Sequence, residues 1–144
     1  MKKTILAALI FVLILAACAS ATPQPLVIED AWARPALSGQ TSAIYFTINN
    51  PNNSPDFLVQ ASSDVAMQTE VHNTSMDAQG VMKMEHQARV EIKAKDSRAF
   101  APGGLHIMLM NLKQDLKVGD TIEVRLRFEN SNEITVQATV REMP

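Results

Sequence analysis

Three histidines and five methionines crowd into one stretch of this 144-residue chain: His72, Met76, Met82, Met84, His86, His106, Met108 and Met110. Two of the runs have a spacing of two. Met82, Met84 and His86 share a face if that stretch is a strand; so do His106, Met108 and Met110, with Leu105, Ile107 and Leu109 on the other face. An ordinary half-buried strand carries charge on its outer face, and here that face carries imidazole and thioethers instead. With Leu105, Ile107 and Leu109 in the core, His106, Met108 and Met110 are expected to face out or to line a rim. Thioether sulfur and neutral imidazole are donors for a soft ion such as Cu(I), whereas Mg²⁺ and Ca²⁺ take hard oxygens and zinc prefers cysteine or carboxylate. Methionine is also a common core gap-filler, and a histidine is usually a satisfied surface or core residue, so spacing alone leaves both readings open.

What the sequence lacks narrows the chemistry. Its one cysteine, Cys18, lies far upstream of the His/Met stretch, and a blue-copper electron-transfer centre needs a thiolate. A single cysteine also excludes a disulfide framework and a zinc-finger module. No Ser/His/Asp or Cys/His arrangement and no paired-carboxylate motif stands out, so the chain is not read as an enzyme. Formal net charge is −2, without basic clusters, which argues against nucleic acid as a partner.

The elements that must position these donors read as strands. Ile122, Val124, Leu126 and Phe128 alternate with Glu123, Arg125 and Arg127, the signature of a half-buried strand. Ile134, Val136, Ala138 and Val140 form a second set, Ile44, Phe46 and Ile48 a third, and Val90, Ile92 and Ala94 a fourth. Turn chemistry falls between them at Asn49 to Pro55, Gln79-Gly80, Pro102-Gly103-Gly104 and Val118-Gly119-Asp120. No window carries a helical stripe. The expectation is an all-β domain of seven to nine short strands, a β-sandwich or Greek-key barrel.

The N-terminus reads as an export signal. Lys2 and Lys3 precede a long apolar run, and Leu15-Ala16-Ala17-Cys18 resembles the lipobox of bacterial lipoproteins. The expected organisation is a lipoprotein signal peptide at 1–17, a lipid-anchored tether at 18–25 and the all-β domain at 26–144. Cys18 is then the acylated residue, holding the domain to the membrane on the periplasmic side of the bacterial envelope. Beyond that segment no run approaches the 18 consecutive apolar residues of a membrane-spanning helix.

These residues resemble the PCuAC family of periplasmic copper chaperones, cupredoxin-like proteins that deliver Cu(I) to the CuA centre of cytochrome c oxidase. The family pattern is a histidine, ten residues, a methionine, twenty-one residues, then His-x-Met. Residues 85 to 105 separate Met84 from His106, and His106-Ile107-Met108 supplies the His-x-Met. Asp30-Ala31-Trp32-Ala33-Arg34-Pro35, Asn49-Asn50-Pro51, the run from Pro102 to Met110 and Leu116 to Thr121 extend the likeness over nearly all the chain after Cys18. One departure is that residues 73 to 83 make eleven between His72 and Met84, an extra residue that a turn at Gln79-Gly80 would absorb. The resemblance implies His72, Met84, His106 and Met108 as the Cu(I) ligands. It also implies subunit II of the oxidase as recipient, with an SCO-type thiol protein as a second candidate. Some family members carry a His/Met-rich C-terminal tail, whereas this sequence ends Arg141-Glu142-Met143-Pro144 and is not expected to form that second site. Two rival readings share the sequence: an envelope protein that sequesters copper, and a structural β-sandwich lipoprotein that binds no metal. Trp32 and Tyr45 are read as core and sheet residues.

Overall fold

The computed structural model describes residues 23–143; the signal peptide and Cys18 lie outside the described residues. Ten strands run in chain order: β1 Val27–Ala33, β2 Ser42–Asn49, β3 Asp56–Ser62, β4 Ala66–Met76, β5 Met82–His86, β6 Val90–Ile92, β7 Ser97–Phe100, β8 Leu105–Leu112, β9 Thr121–Phe128 and β10 Ile134–Val140. There is no helix among the described residues. The strands pair in the order β5-β4-β8-β2-β1-β10-β9-β3-β6, with β7 on β2. All pairs are antiparallel except β1 with β10.

One contiguous apolar core, drawn from β1 through β4 and β6 through β10, fills the space between the two halves of this sheet. The sheet therefore packs against itself as an all-β sandwich. Ile122, Val124, Leu126 and Phe128 are all buried, as their alternation requires, and Ile44, Phe46 and Ile48 face them from β2. Truncating a fully buried member such as Leu126 to alanine costs about 2–5 kcal/mol.

The strand count exceeds the expected seven to nine. β7 is four residues long with a single buried side chain, Phe100, too short to show alternation. β1 breaks its period because its register shifts between Glu29 and Trp32, where Asp30 takes a φ of 52°, the local kink of a β-bulge. Where alternation predicts a strand through Ala94, β6 ends at Ile92 because the chain turns, with Lys95 at a φ of 54°.

The outer face of the β1-β2-β8-β4-β5 half positions the candidate site. Trp32, Ala43 and Tyr45 form a second, smaller buried cluster there, separate from the main core.

Candidate metal centre

Residues at directly paired positions of neighbouring strands project to the same face. β4 pairs with β8 through His72↔His106 and with β5 through His72↔His86. All three histidines therefore stand in one row across three strands. The ring centroids are 6.1 Å apart for His72 and His106 and 5.9 Å for His72 and His86. The row continues into β2, where Tyr45 lies 6.3 Å from His106, and into β1, where Trp32 lies 4.6 Å from Tyr45.

The thioethers lie along the strands from this row. Met84 pairs with Thr74 and Met82 with Met76 on the β4–β5 hairpin, while Met108 pairs with Glu70 on the β8 side. Met84 and Met108 are thus each one diagonal step from His72, on opposite sides of it. A cleft of about 400 Å³ opens on this face, lined among others by Tyr45, Met82, Met84, His106, Met108 and Met143. His72 does not line it; the ring sits beside His106 with its side chain 14% exposed. Leu105, Ile107 and Leu109 are buried in the core on the opposite face. His106 lines this cleft on the face away from the core, as expected of a rim residue, but is only 5% exposed, because Tyr45 and His72 flank it within the sheet row.

The hydrogen bonds of His72 and His106 leave a donor lone pair on each ring in its neutral form. His72 Nε2 lies 2.8 Å from Glu70 Oε2. A carboxylate can only accept there, so Nε2 carries a proton, and in the neutral ring Nδ1 keeps its lone pair. That Nδ1 is buried and has no hydrogen-bond partner, a costly state for a polar atom unless something binds it. His106 Nδ1 lies 3.0 Å from the carbonyl oxygen of Gly104; it must donate, which leaves the Nε2 lone pair free. This is the arrangement by which carboxylates and carbonyls orient metal-ligating imidazoles. Among the described residues no group of three or more His, Cys, Asp or Glu side chains converges to hold a metal ion. The thioethers of Met84 and Met108 lie on the same face, and such donors favour a soft ion.

Local sequence explains the placement. The β4–β5 ladder runs without a register shift from His72↔His86 to Met76↔Met82. The hairpin closes through residues 77–81, where Asp77 Oδ1 accepts from the backbone N–H groups of Gln79 and Val81 and Gly80 takes a φ of 79°. The turn between the two strands is thus one that glycine permits.

Several neighbours escaped sequence reasoning. His86 shares a predicted face with Met82 and Met84, but only the cross-strand register sets it opposite His72. Glu70 and His72 are two apart, so alternation alone would have put them on one face. Tyr45 packs beside His106 rather than in the main core. Met143 reaches the cleft from the far end of the chain, a position no local spacing signals.

Comparison with known proteins gives a consistent set of relatives. The LpqE-like family model matches residues 26–140. The chain is 32% identical over 115 residues to the protein Lxx21020 of Leifsonia xyli subsp. xyli, which carries the word lipoprotein in its name; the match takes in 80% of this chain and 69% of that protein. It is 37% identical over 117 residues to the uncharacterised protein RP573 of Rickettsia prowazekii, with 76% of this chain aligned to 62% of the relative, somewhat less than two thirds. Among solved structures, an apo PCuAC domain from PmoF1 superposes with a TM-score of 0.70 at 25% identity, over 85% of this chain and 98% of that one. The Cu(I) form of DR1885 from Deinococcus radiodurans gives 0.60 at 29% identity, over 89% and 86%.

Proposed function

The chain belongs to the LpqE-like family, and from that premise we propose that it is a Cu(I)-binding metallochaperone of the bacterial envelope. The observation that carries the reading is the pair of opposed histidines, His72 and His106, whose proton-bearing nitrogens are occupied by Glu70 and the Gly104 carbonyl. With Met84 and Met108 on the same face they form a neutral His2Met2 donor set. The Cu(I)-loaded state of a similar solved structure supports the choice of ion.

The donor set suits carriage better than catalysis, and we read the protein as non-enzymatic. Neutral thioethers and imidazoles hold a monovalent ion without the charge of thiolates, so an acceptor's stronger donors can displace them one at a time. Met84 is 52% exposed and His106 only 5%. An incoming ligand therefore reaches the sulfur side of the set first, while the buried imidazole still holds the ion. Transfer proceeds through shared ligands, and free copper is never released.

The finer parts of the reading rest on the PCuAC resemblance. In this proposal the recipient is the CuA centre in subunit II of cytochrome c oxidase, with an SCO-type thiol protein as a partner in the hand-over. Residues 1–17 are a signal peptide, Cys18 carries the lipid, 18–25 is the tether and 26–144 the copper-binding domain on the periplasmic side. The lipoprotein name carried by one relative supports the anchor.

The deciding experiment is a Cu(I) titration of the domain beginning after Cys18 against a competing chelator. One tightly held equivalent that Zn²⁺ cannot displace is expected. Zero binding would leave a structural β-sandwich lipoprotein. Deletion in the cell separates carriage from sequestration: a chaperone's loss lowers oxidase activity at limiting copper, and a buffer's loss raises copper sensitivity instead.

A further inference from the structure

Three thioethers at the free end of the β4–β5 hairpin have no packing role. Met76, Met82 and Met84 are 67%, 61% and 52% exposed, so the usual reason for methionine, filling a gap in a core, does not apply to them. Met76 and Met82 are direct cross-strand partners, and Met84 is the next residue along the same face from Met82. Directly opposed side chains in such a pair have Cβ atoms about 4.5–5.5 Å apart and diagonal ones about 7–8 Å, within reach of a common ion for side chains as long and flexible as methionine. Thr74 is the other member of this face. The Ser75–Lys83 and Asn73–Glu85 pairs take the opposite one by the alternation of the pleat.

The hairpin end is also held in register. Asp77 N–H donates to the Val81 carbonyl, Asp77 Oδ1 accepts from Gln79 and Val81, and Lys83 Nζ lies 3.9 Å from Asp77 Oδ2. The three sulfurs are therefore displayed on an ordered platform, and Met82 and Met84 line the same cleft as His106 and Met108.

We propose that Met76, Met82 and Met84 form a second, outer site for a soft monovalent ion, Cu(I), through which the ion reaches and leaves the His2Met2 site. Met84 belongs to both sets. An ion held by three outer sulfurs moves inward when Met84 turns with it toward His72 and His106, exchanging the Met76 and Met82 sulfurs for imidazole nitrogens. No electron is transferred; the step is ligand exchange at constant oxidation state. The outer site rests on the reading of the inner one, and its chemistry predicts weaker binding, because it has thioethers alone and lies in solvent.

Ag(I) titration of the full chain carrying Cys18→Ser, in detergent micelles with ¹³C-methyl methionine, tests this. The first equivalent is expected to move the Met84 and Met108 methyl signals; with Met84 then engaged by the inner ion, the second is expected to move those of Met76 and Met82, the remaining two sulfurs of the outer set. Met67, 63% exposed but away from the hairpin end, is expected not to move. Met76→Leu should weaken the second equivalent at least tenfold and leave the first within twofold. A single equivalent with Met76 and Met82 silent overturns the outer site and leaves the inner reading standing. A second equivalent that survives Met76→Leu, or that moves Met67 equally, overturns it as well. Silence of all methionines and histidines would remove both sites together.

Discussion

His72 on β4 and His106 on β8 are register partners whose rings stand 6.1 Å apart, each with one nitrogen committed to an oxygen acceptor. Removing either imidazole deletes a donor whose orientation is already fixed, so the loss is not recovered by a neighbouring rotamer. His72→Ala and His106→Ala are each expected to weaken Cu(I) by at least one to two orders of magnitude, about 1.4–2.7 kcal/mol. Competition against a calibrated chelator, with thermal unfolding as a control for the buried His106, measures it. Retention of wild-type affinity in either variant sinks the histidine assignment.

Most of the scaffold could be read from alternation, and the contrast with what could not is physical. β9 announces itself because every second residue from Ile122 to Phe128 is buried. β8 does too, since Leu105, Ile107 and Leu109 fill the core and force His106 and Met108 onto the other face. β1 was hidden by the bulge at Asp30, and β7 by its length. Within the site, spacing put Met82, Met84 and His86 on one face. The pairing of that face with β4, which sets His86 opposite His72, is a long-range property that no short spacing encodes. The proton positions on His72 and His106 depend on Glu70 and the Gly104 carbonyl, and a hydrogen bond to a backbone oxygen leaves no mark in residue types.

The Glu70–His72 hydrogen bond gives a charge-dependent expectation. Glu70→Ala should weaken binding about 10- to 100-fold through loss of orientation, and Glu70→Gln, which still offers an acceptor oxygen, should cost clearly less. Equal losses in the two variants contradict the assignment.

Asp56 at the start of β3 is the acid-sensitive point of the fold. It is 4% exposed, which pushes its carboxyl up, but a side-chain hydrogen bond with Ser131 and backbone bonds from Asn130, Phe57 and Ser131 more than offset this and hold it below the ordinary aspartate range. A carboxyl lowered in the folded state adds stability above its unfolded value, and that increment is lost as pH falls through the folded value. Denaturant unfolding of the domain should therefore show stability dropping below about pH 4. Asp56→Asn should flatten that drop, and Asp56→Ala should cost about 1–3 kcal/mol at neutral pH by leaving buried N–H groups unpaired. An unchanged acid slope in Asp56→Asn would place the sensitivity elsewhere.

The choice between Met82 and Met84 follows from the ladder. Met84 pairs with Thr74 and is one diagonal step from His72; Met82 pairs with Met76, one further row toward the hairpin end. The ladder has no register shift and the hairpin closes through residues 77–81, and Met84 and Met82 both lie on the histidines' face, Met84 the nearer by one row. Leucine has nearly the volume of methionine, so replacing an exposed thioether removes the donor with little change in packing. Met84→Leu and Met108→Leu are each expected to weaken Cu(I) at the inner site by one to two orders of magnitude, about 1.4–2.7 kcal/mol, and Met82→Leu clearly less. The reverse order for Met82 and Met84 in chelator competition would mean that the hairpin slips by two residues when copper binds. Equal partial losses would mean that the two sulfurs exchange on the ion. The single-step diagonal from Met84 to His72 favours the first order.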